Sequence, residues 1–201
     1  IRRPEEGSFS PLDLVWNRDP NRNIEFEADM LLPPTIVDDF GVPASPSTTL
    51  VSYKVVLAWS AEQHRLVLAE EELRHLKKSE ARILLGFPTS KGFRESTVIG
   101  KRHTESGYIS TDSTSSQIKL HQDGGSRGRP VAPGRSPRTV LGGTNTSDYP
   151  TVLAARREMA SWCLLQLEPS SLRTPDRLGE TKPIDEFGRH IAATLARLVR
   201  S

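Results

Sequence analysis

The chain has 201 residues, of which 35% are hydrophobic and 6% aromatic, with 14 glycines and 15 prolines. An apolar share below the roughly 45–50% of ordinary globular domains predicts a modest core with long polar loops rather than full disorder. With 27 basic against 25 acidic side chains the net charge is +2, a balance that does not demand an anionic partner. A single cysteine, Cys163, excludes an internal disulfide and a cysteine-built zinc site. It lies in the apolar run WCLLQL and is expected to be a buried, inert thiol.

In chain order, Leu12, Leu14 and Trp16 alternate weakly and read as a short strand. Ile24, Phe26, Ala28 and Met30 then alternate with Glu25, Glu27 and Asp29, the pattern of a half-buried antiparallel strand. A loop rich in Pro, Ser and Thr spans 33–49, and SYKVVLAWS is a second, stronger strand. In the run that follows, glutamates and leucines favour helix by propensity. Yet Leu66, Leu68, Glu70 and Glu72 alternate with Val67, Ala69, Glu71 and Leu73, and no clean helical face emerges. Strand, paired with SYKVVLAWS across the SAEQH turn, is the preferred reading. ARILLGF, ESTVIG, GYIST and SQIKLHQDGG read as further short β pieces.

Arg127, Arg129, Arg135 and Arg138 are spaced by Gly and Pro, with no acid between Asp123 and Asp148, and predict an exposed structureless loop. DYPTVLAARREMASW is the clearest helix, with Asp148 placed to cap, Pro150 early, and Val152, Ala155, Met159 and Trp162 on one face. CLLQLEP reads as a buried strand closed by Pro169. IDEFGRHIAATLARLV is a final helix carrying Ile184, Phe187, Ile191, Leu195 and Leu198 on one face. The expected fold class is therefore α+β: an antiparallel β subdomain over 1–122, a basic Gly/Pro/Arg loop over 123–147, and helix–strand–helix over 148–201. The opening IRRPEEG lacks an initiator Met and LARLVRS ends within a helical pattern, so a piece of a longer protein is expected. No apolar stretch approaches the roughly 18 residues of a bilayer span, and with no signal peptide at the front the cytoplasm is the default location.

Familiar chemical motifs are mimicked rather than met. GFPTSKGF has its Lys before the glycine and Phe93 where a P-loop needs a hydroxyl, and reads as a turn between strands. PTIVDDF offers only Ile36 and Val37 before Asp38 and Asp39, and RLVLAEEE runs into a glutamate cluster. Both read as solvated charge rather than metal-holding acids. His64, His75, His103, His121 and His190 share no metal spacing, and no metal site is assigned. The four arginines of the basic loop are candidate nucleic-acid contacts that would neutralise phosphates, although no aromatic side chain sits among them to stack on bases.

The final third carries a resemblance. Ser161, Trp162, Leu167, Pro169, Leu172, Arg173 and Pro175, followed by Gly188, His190, Ile191, Ala192, Leu195, Arg197 and Leu198, resemble two motifs of the AAA-family ATPases of the RecF/SMC-like, ABC-type group. The likeness is close over 135–199 and loose elsewhere. It implies an ATPase head in which two copies sandwich ATP and Mg²⁺ between the P-loop of one and the signature motif of the other, with DNA as the partner in repair or defence. The P-loop would precede Ile1, and the signature and Walker B segments would follow Ser201, so these residues alone would be inactive. The resemblance also implies that Gln166 senses Mg²⁺ and the attacking water as a catalytic residue. The plainer alternative is a strand glutamine bonded to the sheet edge. Arg156 and Arg157 would reach phosphate or DNA, or else form a solvated helical face. A non-catalytic basic module that binds nucleic acid or a protein through the arginine loop is the alternative to the ATPase.

Overall fold

The computed structural model describes residues 10–86, 88–100, 107–112, 114–124, 128–132, 136–177 and 179–200. The fold is mixed α+β, built on an antiparallel sheet of six strands, and the chain divides into two compact units, Ile1–Met159 and Ala160–Ser201.

The segment expected as a weak strand is instead a pair of 3-10 turns, Pro11–Leu14 and Trp16–Arg18. Its local chemistry explains the difference. Ser10 accepts from the Leu12 N–H at 3.3 Å and Asp13 from the Ser10 N–H at 3.0 Å, a capping box, with Pro11 preset for the first helical position. β1 (Ile24–Leu31) follows as expected. The Pro-rich loop holds a two-residue ladder, β2 (Ile36–Val37) with β3 (Pro43–Ala44), before the long β4 (Leu50–Ser60) and β5 (Arg65–His75). The glutamate-rich run is thus a strand.

β4 is the spine, paired along its length with β1 on one side and β5 on the other. Phe26, Val55 and Glu71 stand in register on one face, and so do Ala28, Tyr53 and Leu73. The opposite face carries a charged ladder, in which Lys54 lies 3.5 Å from Glu25 and 3.7 Å from Glu70, and Arg74 lies 3.5 Å from Glu27. Such half-exposed pairs add only about 0.2–1 kcal/mol each, but charge along β1 also protects a sheet edge from pairing with another chain. At Val56/Leu57 the register shifts, because Glu70 opposes Val56 while Leu68 opposes Leu57. Ala69 is therefore an extra residue in β5, a bulge that moves Glu71 rather than Glu70 onto the face of Leu68.

Two of the pieces read as strands are helices: α1 (Ala81–Leu84) and α2 (Lys91–Thr97). Ser90 accepts from the Phe93 N–H at 3.0 Å and starts α2, so the P-loop mimic is a helix cap and not a turn between strands. Ala81 and Val98 join Leu50 and Leu76 in a small second core at one end of the sheet. β6 (Ile109–Thr111), β7 (Ile118–Leu120) and β8 (Arg129–Ala132) complete the order β1-β4-β5-β6-β7-β8. The stretch 123–147, expected to be structureless, thus contributes an edge strand and a helical turn, α3 (Val140–Gly143). Pro130 is tolerated because β8 is an edge.

α4 (Pro150–Ser161) packs its first half into the main core, where Thr151 through Ala155 are all buried. Burial on every side replaces the single apolar stripe that the spacing predicted. Asp148 is exposed and is not the cap. The Thr151 N–H donates instead to Asp123, at 3.2 Å, a carboxylate brought from the turn after β7.

Just before β6, Gly107 has φ +66°, and a Cβ there would lie 2.8 Å from the Leu73 carbonyl oxygen. At Gly41, φ is +84° but nothing lies within 4 Å. Gly107→Ala is expected to cost about 2 kcal/mol or more, and Gly41→Ala only about 1 kcal/mol, the backbone penalty alone. Urea unfolding of the two variants checks this; equal losses would mean that the close approach to β5 is relieved without cost.

In the unit Ala160–Ser201, α5 (Pro169–Leu172) and α6 (Ile191–Arg200) are the helices. Residues 163–169, expected as a buried strand closed by Pro169, are exposed and belong to no ladder, with Leu164 89% exposed. Cys163 is accordingly exposed, not buried. A continuous apolar run forms a buried strand only when strands flank it on both sides, and among the described residues none flanks this one. Likewise α6 starts only at Ile191, and its Leu195 and Leu198 are exposed.

Candidate functional site

Three places concentrate polar chemistry. The first is Glu71, wholly buried at the centre of the sheet. Its carboxylate accepts from the Val140 N–H at 2.6 Å, the Leu141 N–H at 2.8 Å and the Tyr53 hydroxyl at 3.0 Å. The first two are free N–H groups at the start of α3, so a strand side chain caps a helical turn distant in sequence. Burial raises the Glu71 carboxyl above its ordinary range, against the lowering pull of the Leu141, Val140 and Tyr53 donors. Burial and the neighbouring carboxylate also push the Tyr53 hydroxyl strongly upward. With no surface to meet a substrate, Glu71 is an internal clamp. The glutamate run had been expected to be solvated; the bulge at Ala69 turns its middle member inward.

The aspartates of PTIVDDF are likewise structural. Asp38 is buried and accepts from the Val42 N–H at 2.8 Å and the Phe40 N–H at 2.9 Å, which hold its carboxyl below the ordinary range. Asp39 pairs with Arg157 at 2.9 Å, and Arg156 donates to the Thr144 carbonyl at 3.3 Å. Those two arginines therefore tie α4 to nearby loops instead of forming a fully solvated face. Ser110 and His121, on and beside adjacent strands, share a hydrogen bond of 2.9 Å that no linear spacing had announced.

The second place is the basic segment. Arg129 is exposed on β8, and Arg138 is exposed beside an isolated bridge of Ser136 to Leu68. Arg127 and Arg135 lie outside the described residues. The two that are described thus lie on separate pieces of backbone, Arg129 on the edge strand β8 and Arg138 next to a bridge to β5.

The third lies within Ala160–Ser201. Gln166 is exposed in the extended segment, and its N–H donates to the Glu186 carbonyl at 2.8 Å. The Glu168 N–H donates to the Phe187 carbonyl at 3.2 Å. Gly188, with φ +86°, lies under Leu172 and Leu167, whose side-chain carbons would be 2.7 and 2.9 Å from a Cβ placed there. Asp176 accepts at 2.8 Å in its contact with His190 Nδ1 and at 3.0 Å from the Ala193 N–H, and its carboxyl is lowered chiefly by the His190 bond. His190 itself sits at φ +66° just before α6. No group of His, Cys, Asp and Glu able to hold a metal occurs among the described residues. Nor, among them, is any helix long and apolar enough to cross a membrane.

No family model matches the chain, and no curated protein or solved structure matches it either.

Proposed function

We propose that these residues are the antiparallel β part and adjoining helical part of an ATP-hydrolysing head of the RecF/SMC-like, ABC-type group. Two copies of the intact head would close on ATP and Mg²⁺ and act on DNA. One observation carries the reading: the two motif halves that bear the resemblance meet in one folded piece. Leu167 and Leu172 of the first half close over Gly188 of the second, and the backbone of Gln166 and Glu168 bonds to Glu186 and Phe187. The exposed apolar segment 162–168 also fits a strand whose neighbours belong to the rest of such a head. In that setting Gln166 would face the Mg²⁺ and attacking water, where positioning and electrostatics supply catalysis. The DNA partner rests on the resemblance alone.

A protein joining these residues to a P-loop and a Walker B strand is expected to bind ATP with Mg²⁺ and hydrolyse it. Gln166→Ala in it should lower turnover about tenfold or more while leaving ATP affinity within about twofold, the signature of a group that acts in the transition state. Steady-state hydrolysis and equilibrium ATP binding are the measurements. Undiminished hydrolysis removes Gln166 from the reaction, and absence of ATP binding overturns the whole reading. A second reading, nucleic-acid contact without catalysis, draws on the exposure of Arg129, on the edge strand β8, and of Arg138. It requires the 201-residue chain alone to bind duplex DNA in a salt-sensitive way.

A further inference from the structure

We infer that the cavity of about 420 Å³ lined by Asp176, Arg177, Gly179 and Glu180 and by α6 is a phosphate-binding pocket, with Arg177 and Arg200 as its ligand-binding cations. It lies wholly within Ala160–Ser201 and does not depend on the ATPase reading.

The charge arrangement carries the inference. Arg177 and Arg200 are both exposed and come from different elements, a loop and the last turn of a helix. A basic residue in a last helical turn ordinarily offsets the helix's free carbonyls, which accounts for Arg200 alone but not for Arg177 on the same cavity. Arg197, the third arginine of the wall, is fixed in place. Its terminal nitrogens donate to the Glu180 carbonyl at 2.9 Å, the Lys182 carbonyl at 3.3 and 3.4 Å and the Thr194 hydroxyl at 3.1 Å. These acceptors are neutral and the bonds hold the loop against the helix, while the charge of Arg197 acts on the neighbouring Asp176 carboxylate, which it helps to lower. The cations left for a ligand are Arg177 and Arg200. Of the two acids at the cavity, Asp176 is engaged through both oxygens, by His190 and by the Ala193 N–H. Glu180 accepts from the Lys182 N–H at 3.3 Å. The remaining wall includes Gly179, Ala193 and Ala196, whose small side chains let a tetrahedral anion approach the arginines closely. Guanidinium groups bind phosphate through paired, charge-assisted hydrogen bonds, and two of them lining one cavity suit a phosphate monoester or diester.

The phosphate could belong to a mononucleotide or to a nucleic-acid backbone, and the experiment separates them. Inorganic phosphate titrated into the ¹⁵N-labelled 201-residue chain is expected to shift the amide resonances of Gly179, Ala193 and Ala196. Binding should weaken at least about fivefold in Arg177→Gln/Arg200→Gln, as expected when charge-assisted bonds are lost. Adenosine monophosphate shifting the same amides while duplex DNA leaves them unmoved assigns the site to a mononucleotide. DNA shifting them, with strong salt dependence, assigns it to a backbone. Adenosine, which lacks the phosphate, should shift none of them. If inorganic phosphate moves none of these amides in the wild-type chain, or moves them equally in the double variant, the pocket is not a phosphate site. The wild-type map alone decides if the double variant fails to fold.

Discussion

Glu71→Ala is expected to destabilise the chain by about 3–5 kcal/mol, the usual cost of removing one side of a buried charged hydrogen-bond network. Three donors lose their acceptor at once: the Val140 and Leu141 N–H groups and the Tyr53 hydroxyl. Two of them sit where little water can replace the carboxylate, since Leu141 is 4% and Tyr53 3% exposed, while Val140 is half-buried. Glu71→Gln keeps the shape but offers one carbonyl oxygen where two carboxylate oxygens served, and should cost less, about 1–3 kcal/mol. Denaturant unfolding monitored by circular dichroism measures both. Equal stability of wild type and Glu71→Ala would show that the clamp contributes nothing.

The pH dependence of the same site has a definite sign. Burial raises the folded-state pKa of Glu71 above its unfolded value of 4.5. In the interval between the two the folded protein holds the extra proton. Its contribution is therefore fully present below the unfolded pKa and is lost as pH rises through the folded one. Wild type should accordingly lose stability relative to Glu71→Gln as pH climbs from about 4.5, since the glutamine cannot titrate. A wild-type advantage that grows with pH over that range would reverse the assignment.

Leu153→Ala is the second large effect, expected at about 2–5 kcal/mol, because the side chain is fully buried and its removal leaves a cavity beneath α4. The contrast is Leu164→Ala. Leu164 is 89% exposed, so in this chain its loss should fall within about 0.5 kcal/mol of neutral. In a complete ATPase head, where residues 162–168 would become an inner strand, the same substitution should instead cost about 2 kcal/mol or more. Thermal or urea unfolding of both variants in both proteins gives the comparison. A neutral Leu164→Ala in the complete head would count against that strand placement.

What could be read from the residues was local. Alternation marked β1, because its charged face meets water along the whole strand. The dense β-branched run marked β4, and Pro150 with the Val152, Ala155, Met159 and Trp162 spacing marked α4. The α+β class followed from those three. Reading failed where two local preferences were close in energy: ARILLGF and ESTVIG read as strands, yet Ser90 caps α2 and the small core around Leu50, Ala81 and Val98 holds α1 and the end of α2 in place.

The site was less legible than the fold. Glu71 looked like one of three equivalent glutamates, and only the extra residue at Ala69 decides which of them faces inward. Asp123 and Asp38 became caps and turn-holders for partners 28 and 109 residues away, a separation no periodicity encodes. Arg177 and Arg200 share a cavity where bonds of Arg197 and Asp176 hold a loop against α6.

The sequence by itself determined the strands whose faces differ in polarity, the helix with an early proline and a regular apolar spacing, and the two motif halves that carry the resemblance. These depend on residues within a few positions of one another. Tertiary structure alone decided the strand order, the inward turn of Glu71, and the exposure of WCLLQLEP. Each of these depends on which distant groups supply hydrogen bonds and apolar cover, and an apolar run stays at the surface when no neighbouring strand covers it.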